Sequence, residues 1–164
     1  TERTGVLVTK ESARFKPLAI HILPSGDENA VHWFLEDKTD TRSSNYLEDA
    51  ATEIQVQGLE LDYICLLWDA DMRYDNGEWR FYRFNGKTNW VEQTPSSESK
   101  QELRKYMLNA YRVLLTRARS GMVICVPKGN SNKNLNGFWE DTTRLPEYYD
   151  GTYEYLMSLG IEEI

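Results

Sequence analysis

Cysteine is nearly absent from this chain: Cys65 and Cys125 are the two in 164 residues, too few for a disulfide framework. Both fall in apolar runs (64–67 and 123–126) that read as buried strands, so reduced core thiols and a cytoplasmic protein are the expectation. No apolar run approaches the roughly 20 residues of a membrane-spanning helix, which argues against a membrane partner. The two histidines, His21 and His32, lie apart from each other and from the cysteines, with no spacing for a zinc site or a Ser/His/Asp triad. Positive charge is in deficit, with a formal net charge of −7. The chain therefore has no general attraction for phosphate polymers, and any nucleic-acid contact has to be local or shared with another domain. Also missing is a Gly-x-x-x-x-Gly-Lys-Ser/Thr loop, the cradle of backbone amides and lysine that holds β- and γ-phosphates, together with an acidic strand end for Mg²⁺. Alone, the chain is not expected to hydrolyse ATP or to carry a cofactor.

What is present is globular: 40% hydrophobic and 12% aromatic residues, enough for one domain over 1–164 with a sizeable core. The opening residues lead directly into Val6-Leu7-Val8 without signal-peptide architecture, as in a piece of a longer protein. Short β-branched or aromatic runs predict strands at 5–9, 31–35, 54–57, 63–68 and 122–127. The strongest helix signal is 97–116, where Leu103, Met107, Ala110, Tyr111 and Leu114 keep helical spacing, and Ser99 with Glu102 forms a capping signal. Weaker helices are expected at 43–52 and 141–159, the latter broken near Pro146 and Gly151. Alternating strands and helices, with near-continuous apolar strands, predict a three-layer α/β domain built on a mostly parallel sheet. An antiparallel hairpin, 78–84 paired with 89–92, reads as an insertion spanning about 74–93 at the edge of that sheet. A Gly/Asn/Ser-rich loop is expected at 128–136.

Two segments place polar groups beside buried strands. In Thr52-Glu53-Ile54-Gln55-Val56-Gln57-Gly58-Leu59-Glu60-Leu61-Asp62, Gly58 permits a tight turn, flanked by Gln57 and Glu60, which can hydrogen-bond a sugar or reach a cation. A plain polar turn before a core strand accounts for it equally. In Ala110-Tyr111-Arg112-Val113-Leu114-Leu115-Thr116-Arg117-Ala118-Arg119-Ser120-Gly121, a helix ends in arginines and a glycine. The arginines suit the negative end of the helix dipole. An arginine at such a junction can also reach across an interface to a phosphate, where its planar, permanently charged fork suits transition-state charge.

Leu115-Thr116-Arg117-Ala118-Arg119 resembles motif VI of UvrD/Rep-type superfamily 1 helicases, and Gln57-Gly58-Leu59-Glu60-Leu61-Asp62 resembles their motif V, in the expected order. Arg42-Ser43-Ser44-Asn45-Tyr46-Leu47-Glu48, with Gln57 to Glu60 and Ala110 to Arg117, further resembles the C-terminal part of the domain of unknown function 2075 family, similar to the Schlafen-type helicase-like ATPases. This likeness spans about 5–126. It implies a P-loop NTPase-like, RecA-like fold, as in the second helicase domain, and a missing N-terminal P-loop domain of the same protein as partner. ATP and Mg²⁺ would be bound only by the full-length protein, with single-stranded DNA or RNA as a further ligand. By the same resemblance Arg117 is the catalytic arginine finger on the γ-phosphate, and Glu60, with Gly58 and Gln57, lies near the nucleotide. Gln57 stands where UvrD-type proteins commonly carry lysine. Thr52 and Arg14 fall where the family contacts nucleic-acid backbone, Arg14 and Lys10 following a strand in the place of motif IV.

Other readings compete. Asp27 with Glu36-Asp37-Lys38 loosely imitates a nuclease metal site, and is equally a charged surface turn. Asp69, Asp71, Asp75 and Glu78 form an acidic cluster without calcium-loop spacing, which reads as a polar loop leading into the hairpin. Trp68, Trp79, Tyr82, Trp90 and Trp139 can stack on bases or simply pack. Against the motor stands a non-catalytic RecA-like module that binds a protein or nucleic acid.

Overall fold

The computed structural model describes residues 2–86, 89–130 and 141–164. In chain order they form β1 (Thr4–Val8), β2 (His21–Ile22), α1 (Asp27–Leu35), β3 (Asp49–Thr52), β4 (Leu61–Leu67), β5 (Met72–Asp75), β6 (Glu78–Phe84), β7 (Trp90–Glu92), α2 (Glu98–Leu114), β8 (Ala118–Cys125) and α3 (Asp150–Ser158). Five strands make a parallel sheet in the order β2-β3-β1-β4-β8, while β5-β6-β7 form a separate antiparallel sheet. This is the mixed α/β architecture expected from the alternation of elements, with a RecA-like parallel sheet; the hairpin, expected at the edge of that sheet, instead joins β5 in the separate antiparallel one.

Strand alternation divides the core. Leu7, Ile64 and Leu66 point to the face that receives Met107, Tyr111 and Leu114 of α2 and Trp33 of α1. Trp33 is 2% exposed and donates its indole N–H to the Asp49 carbonyl at 3.1 Å. A side chain at Gly5 would meet the Trp33 ring at 2.8 Å, so only glycine lets α1 approach β1. Val6, Val8, Ala50 and Leu67 point to the opposite face, under Phe15 and Ile20 of the connection from β1 to β2. That covering reaches Leu67 at the end of β4 but stops short of its start and of β8, where Tyr63 and Val123 remain 42% and 43% exposed. Consequently Cys125 is exposed and Cys65 half-buried, rather than both lying in the core; both thiols are free.

α2 forms where its apolar spacing predicts, but Ser97, not Ser99, caps it, accepting from the Lys100 N–H. Three expectations are overturned. Residues 31–35 are the last turns of α1, because Trp33 and Phe34 reach the core with helical rather than alternating spacing. Residues 43–52 are a short 3-10 turn (Ser44–Tyr46) followed by β3, whose Ala50 and Ala51 are fully buried between neighbouring strands. Residues 54–57 are turn, with the Val56 N–H donating to the Thr52 carbonyl. In the tail, two 3-10 turns (Thr142–Arg144 and Pro146–Tyr148) precede α3, which packs on β5 through Thr152 and Tyr155. Most of the loop expected at 128–136, and Trp139, lie outside the described residues.

Candidate functional site

Parallel strands bring their starts to one edge of the sheet and their ends to the other. At the starting edge, the segments preceding β4 and β8 meet. The Leu61 N–H donates to the Arg117 carbonyl at 3.0 Å. Arg117 folds back between the two segments: Nε donates to the Val113 carbonyl at 3.1 Å, Nη1 to the Leu59 carbonyl at 3.2 Å and Nη2 to the Thr116 hydroxyl at 3.4 Å. All three acceptors are neutral oxygens, and among the described residues no carboxylate pairs with the half-buried guanidinium. Its neighbour Arg119 differs: Nε meets Glu60 Oε2 at 2.8 Å. Gly58, at φ +81°, makes the turn a left-handed one, and Gln57 and Gly58 are exposed. Val56, 1% exposed, fastens this turn to the core. The structure thus brings together Gln57, Gly58, Glu60 and Arg117, with Arg119 as an ion-pair partner for Glu60.

Thr52 and Arg14 lie at the other edge. The Thr52 hydroxyl and N–H both donate to the Gln55 side-chain oxygen, at 3.1 and 2.9 Å. A cleft of about 480 Å³ opens beside it, lined by Lys10, Ser25, Gly26 and Thr52, with the N-terminus of α1 at its rim. Arg14 turns instead toward the tail, where Nε donates to the Thr143 hydroxyl at 2.8 Å and Nη2 lies 3.5 Å from Asp141. Hydrogen bonds from Thr143 and Arg144, opposed by some burial, bring the Asp141 carboxyl down to about 2.

Between these strands the connections leave on opposite faces: from β1 under Phe15, and from β4 through the hairpin and α2. Such a switch point between β1 and β4 is where open α/β sheets place ligands, outside the strand ends. Here it is filled by the chain's own acids. Asp69 is 1% exposed and accepts from the Ala13 and Arg14 N–H groups at 2.8 and 3.1 Å and from the Tyr149 hydroxyl at 3.2 Å. Asp71 is fully buried, accepting from the Thr9 hydroxyl at 2.6 Å and the Tyr111 hydroxyl at 2.7 Å. Burial and the neighbouring Asp69 charge push the Asp71 carboxyl up to about 7, and burial also raises Asp69. The expected polar loop is therefore a buried carboxylate pair. Arg73, 8% exposed, supplies nearby positive charge, its guanidinium lying 3.7 Å from the Tyr148 ring centre and 3.9 Å from that of Tyr82.

Residues 5–128 match the Schlafen group 3 DNA/RNA helicase domain. The chain belongs to that family. No curated protein and no solved structure matches it. The matched span covers the whole parallel sheet, both sheet edges and the hairpin of this helicase domain, and ends before the tail.

The other candidates of the Schlafen-type domain resolve into structure. Glu36 accepts from the His32 ring at 3.1 Å and Asp37 accepts from the Thr39 N–H, while the Asp27 side chain lies outside the described residues. Among the described residues no group of three or more His, Cys, Asp or Glu is placed to hold a metal. Trp68 is 2% exposed and stacks on Trp79 and Tyr111, and Phe84 packs on Trp90, so these aromatics serve the hairpin. Among the described residues no helix is long and apolar enough to cross a membrane. Sequence reasoning missed Glu53, 6% exposed, which accepts from the Lys10 N–H at 2.8 Å and from the Tyr106 hydroxyl. Its signal was a charged residue directly after a small-residue strand.

Proposed function

We propose that this chain is the second motor domain of a superfamily 1 DNA/RNA helicase-like ATPase. In this reading Arg117 acts as a motif VI arginine finger on a nucleotide and Mg²⁺ held by a P-loop domain elsewhere in the protein. Gln57, Gly58 and Glu60, as motif V, face that nucleotide from this domain's side. The observation that carries the reading is the convergence of Arg117 with the 57–60 turn at one sheet edge, in a chain of the Schlafen group 3 helicase domain family.

The chemistry is consistent. Phosphoryl transfer spreads negative charge over the equatorial oxygens, and a permanently charged, bidentate guanidinium stabilises it. Arg117 is bound only to neutral oxygens, so its exchange of the Leu59 carbonyl for a phosphate oxygen breaks no ion pair. Arg119 already spends its charge on Glu60. The switch point is occupied by the buried Asp69 and Asp71, which fits a domain that complements a site on its partner. In this reading Thr52 and Lys10, beside their cleft, meet single-stranded nucleic-acid backbone, with Arg14 contributing once it releases Asp141.

The test is ATP hydrolysis by the full-length protein, with and without a single-stranded oligonucleotide, for the wild type and Arg117→Ala. Stimulated turnover that collapses in a folded mutant supports the reading. Turnover unaffected by the substitution removes Arg117 from the site. A second reading, a non-catalytic interaction module, is favoured by the uncovered strip at Tyr63 and Val123; a wild type with no ATP turnover under either condition selects it.

A further inference from the structure

The two sheet edges lie at opposite ends of the strands, so the proposed motor needs a physical link between nucleic acid at one and the arginine at the other. α2 spans that distance. Near its middle, Tyr106 donates to Glu53, the residue after Thr52, whose other carboxylate oxygen holds the Lys10 N–H at 2.8 Å. The Lys10 ammonium sits 4.1 Å from the Tyr106 ring centre. Five residues on, Tyr111 donates to Asp71, which also holds Thr9, the residue before Lys10. The partner Asp69 fixes the backbone of Ala13 and Arg14. Beyond Tyr111 the helix ends on Val113 and Leu114, and the Val113 carbonyl holds Arg117 Nε.

We propose that Tyr106 and Tyr111 are positioning residues that transmit nucleic-acid occupancy at Lys10 and Thr52 along α2 to Arg117, through their hydrogen bonds to Glu53 and Asp71. The inference rests on the motor reading and names the residues through which nucleic acid stimulates turnover. Each bond joins a side chain of the rigid helix to a carboxylate at the end of a strand or just beyond it. A shift of the 9–14 segment or of Thr52 is therefore felt by the helix at two points, and its last turn moves the carbonyl that Arg117 grips. Packing alone would transmit less, because an apolar contact tolerates sliding, whereas a buried hydrogen bond that is lost leaves a carboxylate oxygen unpartnered.

Substituting phenylalanine keeps each ring and removes only the hydroxyl. The experiment measures ATP turnover of the full-length protein with and without single-stranded oligothymidylate or oligouridylate, for the wild type, Tyr106→Phe and Tyr111→Phe. Fluorescence anisotropy gives oligonucleotide affinity, and thermal unfolding confirms folding. The expected result is unchanged basal turnover and oligonucleotide affinity, with the stimulation reduced about fivefold or more in each variant. Should Tyr111→Phe fail to fold, the half-buried Tyr106 decides. Wild-type stimulation in folded variants overturns the inference, and so does a parallel fall of basal and stimulated turnover, which is what a merely structural role produces. A wild type without any stimulation overturns the motor reading and this inference together, so the two failures are told apart.

Discussion

At the starting edge of the parallel sheet, Arg119 and Glu60 pair with side chains 62% and 52% exposed, whereas at the finishing edge Asp69 and Asp71 are 1% and 0% exposed and carry no direct ion pair. The first edge keeps its charges in water, where they cost little and hold little. The second removes two carboxyls from water and compensates with hydroxyl and amide donors from three separate stretches of chain: the 9–14 segment, α2 and the tail. Arg117, held by neutral oxygens, would under the proposed reading exchange one of them for a ligand oxygen. Charges locked into a buried network instead fix the relative positions of β1, β4, α2 and the tail. Under the proposed function, the first edge acts and the second holds.

That contrast can be broken by substitution. Arg117→Ala should reduce stimulated turnover of the full-length protein by about a thousandfold or more, while leaving the urea midpoint of this domain unchanged; a large fall in midpoint would make Arg117 one of the holding residues. Tyr111→Phe should do the reverse to stability, costing about 1–3 kcal/mol in urea unfolding because a buried Asp71 oxygen loses its donor; a cost near zero would mean the acid pair is not a structural lock.

The pH dependence sharpens the same point. Folding raises the Asp71 carboxyl from its ordinary value near 3.8 to about 7, so the folded state holds that proton more tightly than the unfolded state. Between those values the unfolded chain binds fewer protons, and stability falls as pH rises from about 4 to about 7. Asp71→Asn, which cannot ionise, should flatten that part of the profile in urea melts at stepped pH, and an unchanged slope would contradict the burial argument. Smallest of all, Glu60→Gln should leave the urea midpoint where it is, since the pair it breaks is exposed; a measurable loss would show that the two edges are more alike than their geometry says.

Much of this was legible beforehand. The apolar runs of β1, β4 and β8, the helical spacing of α2, the paired strands of the hairpin and the turn at Gly58 are local signals, and each element formed near its expected place. α1 misled because Val31-His32-Trp33-Phe34-Leu35 carries strand-like residues, while the placement of Trp33 under Gly5 is a tertiary fact. β3 was hidden by Ala50 and Ala51, weak strand formers that fit between two neighbouring strands. The acid pair could not be read at all: Asp69 and Asp71 look like a solvated turn, and their partners stand 62, 40 and 80 residues away, at Thr9, Tyr111 and Tyr149. The convergence of Arg117 with the 57–60 turn was readable only as a resemblance of two short motifs, and the parallel pairing of β4 with β8 supplies its geometry.

The most direct measurement compares Arg117→Ala with Arg119→Ala in one assay of oligonucleotide-stimulated ATP hydrolysis by the full-length protein. The two arginines stand two positions apart: Arg117 is half-buried among neutral oxygens, and Arg119 is exposed and held by the Glu60 carboxylate. The account predicts that turnover collapses on loss of Arg117 and survives loss of Arg119; equal losses, or a greater loss at Arg119, would contradict it.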